Sequence, residues 1–202
     1  QKDRAIVLAA VQQYGSSLSF ADPELQKDKS IVLVAVERDG YALVYAHETM
    51  RANKEVVLAA VRNYGPALKW ASETLRNDRE VVLAAVSPSQ LDSYRAHSVD
   101  YTLSFASPEL KNDADVVLAA VSHNGLALKY APVSYRNDRA TVLAAVQENG
   151  EALKWASAEL KNDKDVVIAA VREAGIGAYK HASRELQKDP EVERYGRNFR
   201  RR

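Results

Sequence analysis

The residues able to do chemistry are few. Four histidines, His47, His97, His123 and His181, are the first candidates for a metal site. Such a site asks for ligands at helical spacing or gathered in one loop, and no two of these are near in sequence. They are read as scattered surface or half-buried side chains. Ser93, His97, Asp92 and Asp100 crowd into the stretch Ser87–Tyr101, but a catalytic triad is defined by geometry rather than by coexistence in a loop. Gly175-Ile176-Gly177 lacks the third glycine and the preceding strand of a dinucleotide fingerprint, so it reads as a lengthened helix cap. There is no cysteine, which removes disulfides, thiolate metal sites and a thiol nucleophile together. The expectation is no catalytic, metal-binding or cofactor-binding residue, no cofactor, and no enzyme.

Three recurring rows are better candidates for recognition. Arg51, Arg76, Lys111, Arg136 and Lys161 hold one position; Lys29, Lys54, Arg79, Arg139 and Lys164 hold another. Either could form a stripe for an acidic partner. The first row is read as neutralising exposed helix-end carbonyls, with the acids Asp28, Asp78, Asp113, Asp138 and Asp163 along the same edge. Phe20, Tyr45, Trp70, Phe105, Tyr130 and Trp155 form an aromatic column, expected to be core because of its apolar neighbours. The lysines beside it, Lys69, Lys129, Lys154 and Lys180, are expected to be a solvated face.

These rows exist because the chain is a repeat, and internal repeats decide the fold before anything else does. The apolar run IVLAAV at Ile6 returns from Ile31, Val56, Val81, Val116, Thr141 and Val166. The interval is 25 residues, with one step of 35 between the fourth and fifth copies. Asp or Asn stands three positions before each run, where its side chain accepts from the free amides of a first helical turn. Gly15, Gly40, Gly65, Gly125, Gly150 and Gly175 follow, read as left-handed C-terminal caps. A second, shorter apolar pattern comes next (PALKWA from Pro66), with Pro66 at a first helical position, and then a small turn such as Asp22-Pro23-Glu24-Leu25. Six consecutive apolar residues could instead form a buried strand in a leucine-rich horseshoe. The Ala-Ala pair, the caps and the glycine favour helix.

The fold class predicted is therefore all-α, an α-solenoid of about seven 25-residue helix-turn-helix repeats and some fourteen short helices. A helix apolar on every side is expected to be buried on every side, the Ala-Ala pair letting neighbouring backbones approach. The string NDREVVLAAV at Asn77–Val86, followed by repeats of ALKWAS, EL and KND, resembles a family catalogued only as a domain of unknown function, family 4116. The resemblance covers about residues 1–190. It implies a tandem helical array and no assigned reaction, so no family site residue carries over.

Charge is nearly balanced, with 28 basic and 27 acidic side chains, but five arginines and no acid fall in the last nine residues. The rest of the chain is then slightly acidic, which argues against general nucleic-acid binding. No apolar run reaches membrane-spanning length, and no signal pattern opens the chain. Because Gln1 lies inside a repeat, an upstream segment is expected beyond it; no compartment is assigned. The domain reading is a repeat array over 1–193, interrupted at 87–101, and a basic tail over 194–202. The functional reading is a non-enzymatic scaffold or peripheral subunit with protein partners in a larger assembly. Nucleic acid or an anionic surface enters as an alternative only through the tail. Partner contact is expected at Leu91, Tyr94, His97 and Tyr101 in the interruption, and at Arg194, Arg197, Arg200, Arg201 and Arg202.

Overall fold

The computed structural model describes residues 1–87 and 101–198, with the side chains of 197 and 198 left aside. Every regular element among the described residues is helical. The chain divides into two compact units, Gln1–Leu110 and Lys111 onward.

In the first unit the long helices are Arg4–Gln13, Lys29–Arg38, Lys54–Asn63 and Arg79–Val86. Each starts where the sequence placed its cap. Asp28 accepts from the amides of Ser30 and Ile31, and Asp78 from those of Glu80 and Val81. Each such cap is worth about 1 kcal/mol. Successive long helices pack side by side, and so do the segments that follow them. The second unit repeats the plan with Ala114–His123, Arg139–Glu148, Lys164–Ala174 and Pro190–Asn198.

Four expectations need correction. The repeat holds three helical pieces, not two. After the long helix comes a six-residue 3-10 segment (Gly15–Phe20, Gly40–Tyr45, Gly65–Trp70, Gly125–Tyr130, Gly150–Trp155) and then a single turn such as Glu73–Arg76 or Leu160–Asn162. The cause lies in the linking residue: Tyr64 or Asn149 is extended, so the chain leaves the α-helix abruptly and restarts in a tighter turn.

The glycines are not left-handed caps. Only Gly175 has a positive φ (54°) among the described residues. The others open the 3-10 segment, where a Cβ on Gly40 would run into the carbonyl oxygen of Ala60 in the next repeat. The same collision pairs Gly150 with Ala170. Close approach of two backbones demands glycine here, not torsional freedom.

The long helices are not buried all round. In each internal copy the first two apolar residues, the second alanine and the last valine are buried, as in Val56, Val57, Ala60 and Val61. The leucine and the first alanine between them stay half-exposed: Leu58 and Ala59, Leu143 and Ala144. The boundary at 194 also moves. Asp189 accepts from the amides of Glu191 and Val192, and Val192 is fully buried. Residues 194–198 continue that helix, which packs on Lys164–Ala174 as the long helix of an eighth copy would.

Candidate interaction surface

The aromatic column is not core. In the 3-10 segment, with three residues per turn, positions one and four share a face. That face is buried: Gly65 with Leu68, Gly150 with Leu153. The fifth position lies opposite, so Lys69, Lys129 and Lys154 are exposed. The aromatic at position six falls between the two. Tyr45, Trp70, Phe105, Tyr130 and Trp155 are half-buried, and Phe20 is 78% exposed. The leucines seal the layer beneath, and the rings stand over it as a ladder.

The lysines reach these rings. The Lys129 ammonium lies 5.2 Å from the Tyr130 ring centre and 5.3 Å from that of Trp155. Lys154 sits 5.0 Å from Trp155, and Lys69 lies 6.0 Å from Phe105. Such contacts contribute about 0.5–1 kcal/mol at exposed positions. In the first unit Tyr41 adds an aromatic cluster, edge-on to Trp70 at 4.8 Å and near Tyr45 and Tyr64.

The two basic rows behave differently. Cations opening five of the long helices pair with the acids opening the next one, and Ala114 takes that place in its own copy. Arg4 meets Asp28 at 2.9 Å, Lys29 meets Glu55 at 2.5 Å, and Lys54 meets Asp78 and Glu80 at 2.7 and 2.8 Å. In the second unit Arg139 holds Asp163 and Asp165, both at 2.8 Å, and Lys164 holds Asp189 and Glu191, both at 3.0 Å. The Ser30 hydroxyl first, and then Arg4, take Asp28 down to about 2 against the cost of its burial. This edge is electrically satisfied and serves the stack.

The other row, Arg51, Arg76, Lys111, Arg136 and Lys161, is half-buried. Its side chains form no ion pair among the described residues. The Nε atoms of Arg76 and Arg136 are buried without a hydrogen-bond partner. What these residues supply to the stack is backbone. The carbonyls of Arg51, Arg76, Arg136 and Lys161 accept from the amides of Ser72, Ser107, Ser157 and Ser183 in the next repeat at 2.8–3.0 Å. This sets each basic side chain's residue against the turn that follows the neighbouring ring. Pro132 takes the corresponding place beyond Lys111 and has no amide to give. Burial pushes the Lys161 ammonium down, and the charge of Arg136 adds to it.

Of the other predicted contacts, Leu91, Tyr94, His97, Arg200, Arg201 and Arg202 lie outside the described residues, as does the Arg197 side chain. Tyr101 is 41% exposed, with its ring edge-on to Phe105 at 5.5 Å. Arg194 is engaged within its own helix, 5.2 Å from the Tyr195 ring centre, while Arg172 covers that ring at 4.4 Å and reaches its hydroxyl at 2.5 Å. The Arg172 guanidinium, with Arg194, holds the Tyr195 phenol below its usual range. His47 caps the turn Glu48–Arg51 through Nδ1. His181 occupies the ring position of the seventh copy, where burial and then the charges of Lys180, Lys154 and Lys161 hold its imidazole below the ordinary value, opposed by Glu151. No three His, Asp or Glu side chains gather as a metal site among the described residues. No described helix is long and apolar enough to cross a membrane.

A helical repeat array whose copies lock by cap, glycine contact and ion pair is thus the class of protein defined here. The chain belongs to the family described as Domain of unknown function (DUF4116), whose model matches residues 3–51, 53–93, 100–136 and 138–187. No curated protein and no solved structure matches it. The family segments each span more than one 25-residue copy, so the structural repeat is shorter than the family's unit.

Proposed function

We propose that this chain is a non-enzymatic interaction scaffold, a peripheral subunit that presents a repetitive surface to protein partners. The observation supporting this reading is the ladder of half-buried rings, Tyr45, Trp70 and Phe105 in one unit and Tyr130 and Trp155 in the other. Aromatic side chains bring large contact area at small entropic cost, and they are enriched at interface centres. Within each unit successive repeats carry successive rings, so a partner can engage more than one anchor. The half-exposed leucines of the long helices give a second apolar row for the same use.

The test is co-purification of the full chain, tagged, from its native source, beside a variant carrying Trp70→Arg and Trp155→Arg. Loss of the partner with an unchanged circular dichroism spectrum supports the reading. Retention of the partner by the folded variant removes the ring ladder as the recognition surface.

A further inference from the structure

In the second unit two cations cover the Trp155 ring, and the backbone of a second basic row, Arg136 and Lys161, is bonded to the turn after the next ring position. Lys129 and Lys154 lie over Trp155 at 5.3 and 5.0 Å. Across the ring position, the Arg136 carbonyl is bonded to Ser157, two residues beyond Trp155, and the Lys161 carbonyl to Ser183, two beyond His181. His181 takes the next ring position, where burial first and then the charges of Lys180, Lys154 and Lys161 lower its imidazole, opposed by Glu151. None of these five cations is in an ion pair among the described residues, whereas Arg139 and Lys164 on the other edge each hold two carboxylates. A like-charged row without ion-pair partners among the described residues raises the local potential and draws anions.

The geometry points to an extended acidic peptide segment as the occupant of this strip, with carboxylates seated between Lys129, Lys154 and Trp155 and again beside Lys161, Lys180 and His181. Spacing and ring access decide the class. One ammonium, that of Lys129, contacts both the Tyr130 and Trp155 rings, so consecutive rings are about 10 Å apart at most, the spacing of packed helices. An extended or polyproline chain advances about 9–10 Å in three residues, so an acid at every third position keeps step with the repeats. The Trp155 ring is already covered by two ammonium groups. Stacked bases, the usual anchor of single-stranded nucleic acid, would have to displace both; a carboxylate adds to them.

This inference rests on the reading of the chain as an interaction scaffold and names its partner's chemistry. The probe is the twelve-residue peptide (Glu-Pro-Pro)4. Its comparators are a peptide of the same composition with its four glutamates contiguous, a twelve-nucleotide oligothymidine, and inorganic phosphate. Binding is read from Trp155 fluorescence in the full chain carrying Trp70→Phe, which leaves one tryptophan. The spaced peptide should bind best, and Lys129→Gln with Lys154→Gln should weaken it by at least about tenfold. Lys54→Gln, on the neutralised edge, should change it by less than about twofold.

The inference is overturned by no response to the spaced peptide at low salt, by equal loss in the Lys54→Gln control, or by equal binding of the contiguous peptide. Tighter binding of oligothymidine overturns it in favour of a nucleic-acid strip, and binding of phosphate alone with equal affinity reduces it to a single anion pocket. If the lysine double variant still co-purifies with the native partner, this inference fails and the scaffold reading stands. If the peptide binds as described while the folded tryptophan variant keeps its partner, the scaffold reading's ladder fails instead.

Discussion

The two units share a scaffold and differ on one face. The first carries 12 basic and 14 acidic residues, a net of −2; the second carries 16 and 13, a net of +3, and that whole difference lies in the five arginines from 194 onward rather than on the repeat face. Beneath the surface they match: Leu43 and Leu68 are as fully buried as Leu128 and Leu153. Above it, the position before each ring reads Ser19, Val44, Lys69 and Ser104 in the first unit, and Lys129, Lys154 and Lys180 in the second. Tyr41 packs against Trp70 in one, where the other places ammonium groups on Trp155. A 3-10 segment explains how this divergence is tolerated. Its buried face is settled by glycine and leucine, so the fifth position can change chemistry without touching the core.

The largest way to break the comparison is through what both units share. Gly40→Ala and Gly150→Ala each drive a Cβ into a neighbouring carbonyl oxygen, and each should cost about 3 kcal/mol or more by chemical denaturation. Equal, small losses would mean that the copies can slide apart to make room. Next come the sealing leucines: Leu68→Ala and Leu153→Ala should each cost about 2–5 kcal/mol. Ala60→Leu, at the buried alanine of its pair, should cost about 1–3 kcal/mol, whereas Ala59→Leu, at the half-exposed one, should cost less.

Trp70→Ala and Trp155→Ala sharpen the difference between units. Each ring is half-buried, so the loss should fall below that of the leucine two positions earlier, at about 1–2 kcal/mol. Trp70 should be the costlier, because Tyr41 loses an edge-on partner. The smallest effect belongs to His181. Its imidazole sits below the usual value of 6.5 in the folded chain, so the unfolded chain takes up the proton first as pH falls. Stability should therefore decline as pH drops from 6.5 towards the lowered value, and His181→Gln should flatten melting temperature across that window.

Much of this was legible in the residues. The seven capping residues and the long helices follow from Asp or Asn set before a fixed apolar run, and the structure places Asp28, Asp78 and Asp163 where that rule puts them. The aromatic column leaves the core because the second apolar pattern winds as a 3-10 segment rather than as an α-helix. With three residues per turn, Leu153 goes under and Trp155 stays at the margin. The glycines were misjudged because a turn and a close contact look alike in sequence; only the neighbouring copy's carbonyl tells them apart. The helix from Pro190 was signalled by Asp189, Pro190 and Val192, but its arginines and its lack of an alanine pair concealed it. The lysine strip left a trace, a lysine repeated just before a ring, whose meaning depends on which face that position takes.

The ion-paired edge has a direction. Among the described residues, Arg4, Lys29, Lys54, Arg139 and Lys164, each opening a long helix, reach forward to acids opening the next. Each copy that opens on a cation therefore presents a plug on one side and, in its capping acid, a socket on the other; the copy opening at Ala114 lacks the plug. Removing 25 residues from the middle of either unit would leave a junction of the same kind as those it destroyed. Loss of a whole copy then removes one repeat's and one interface's contribution to stability while leaving the kind of contact between the remaining neighbours unchanged.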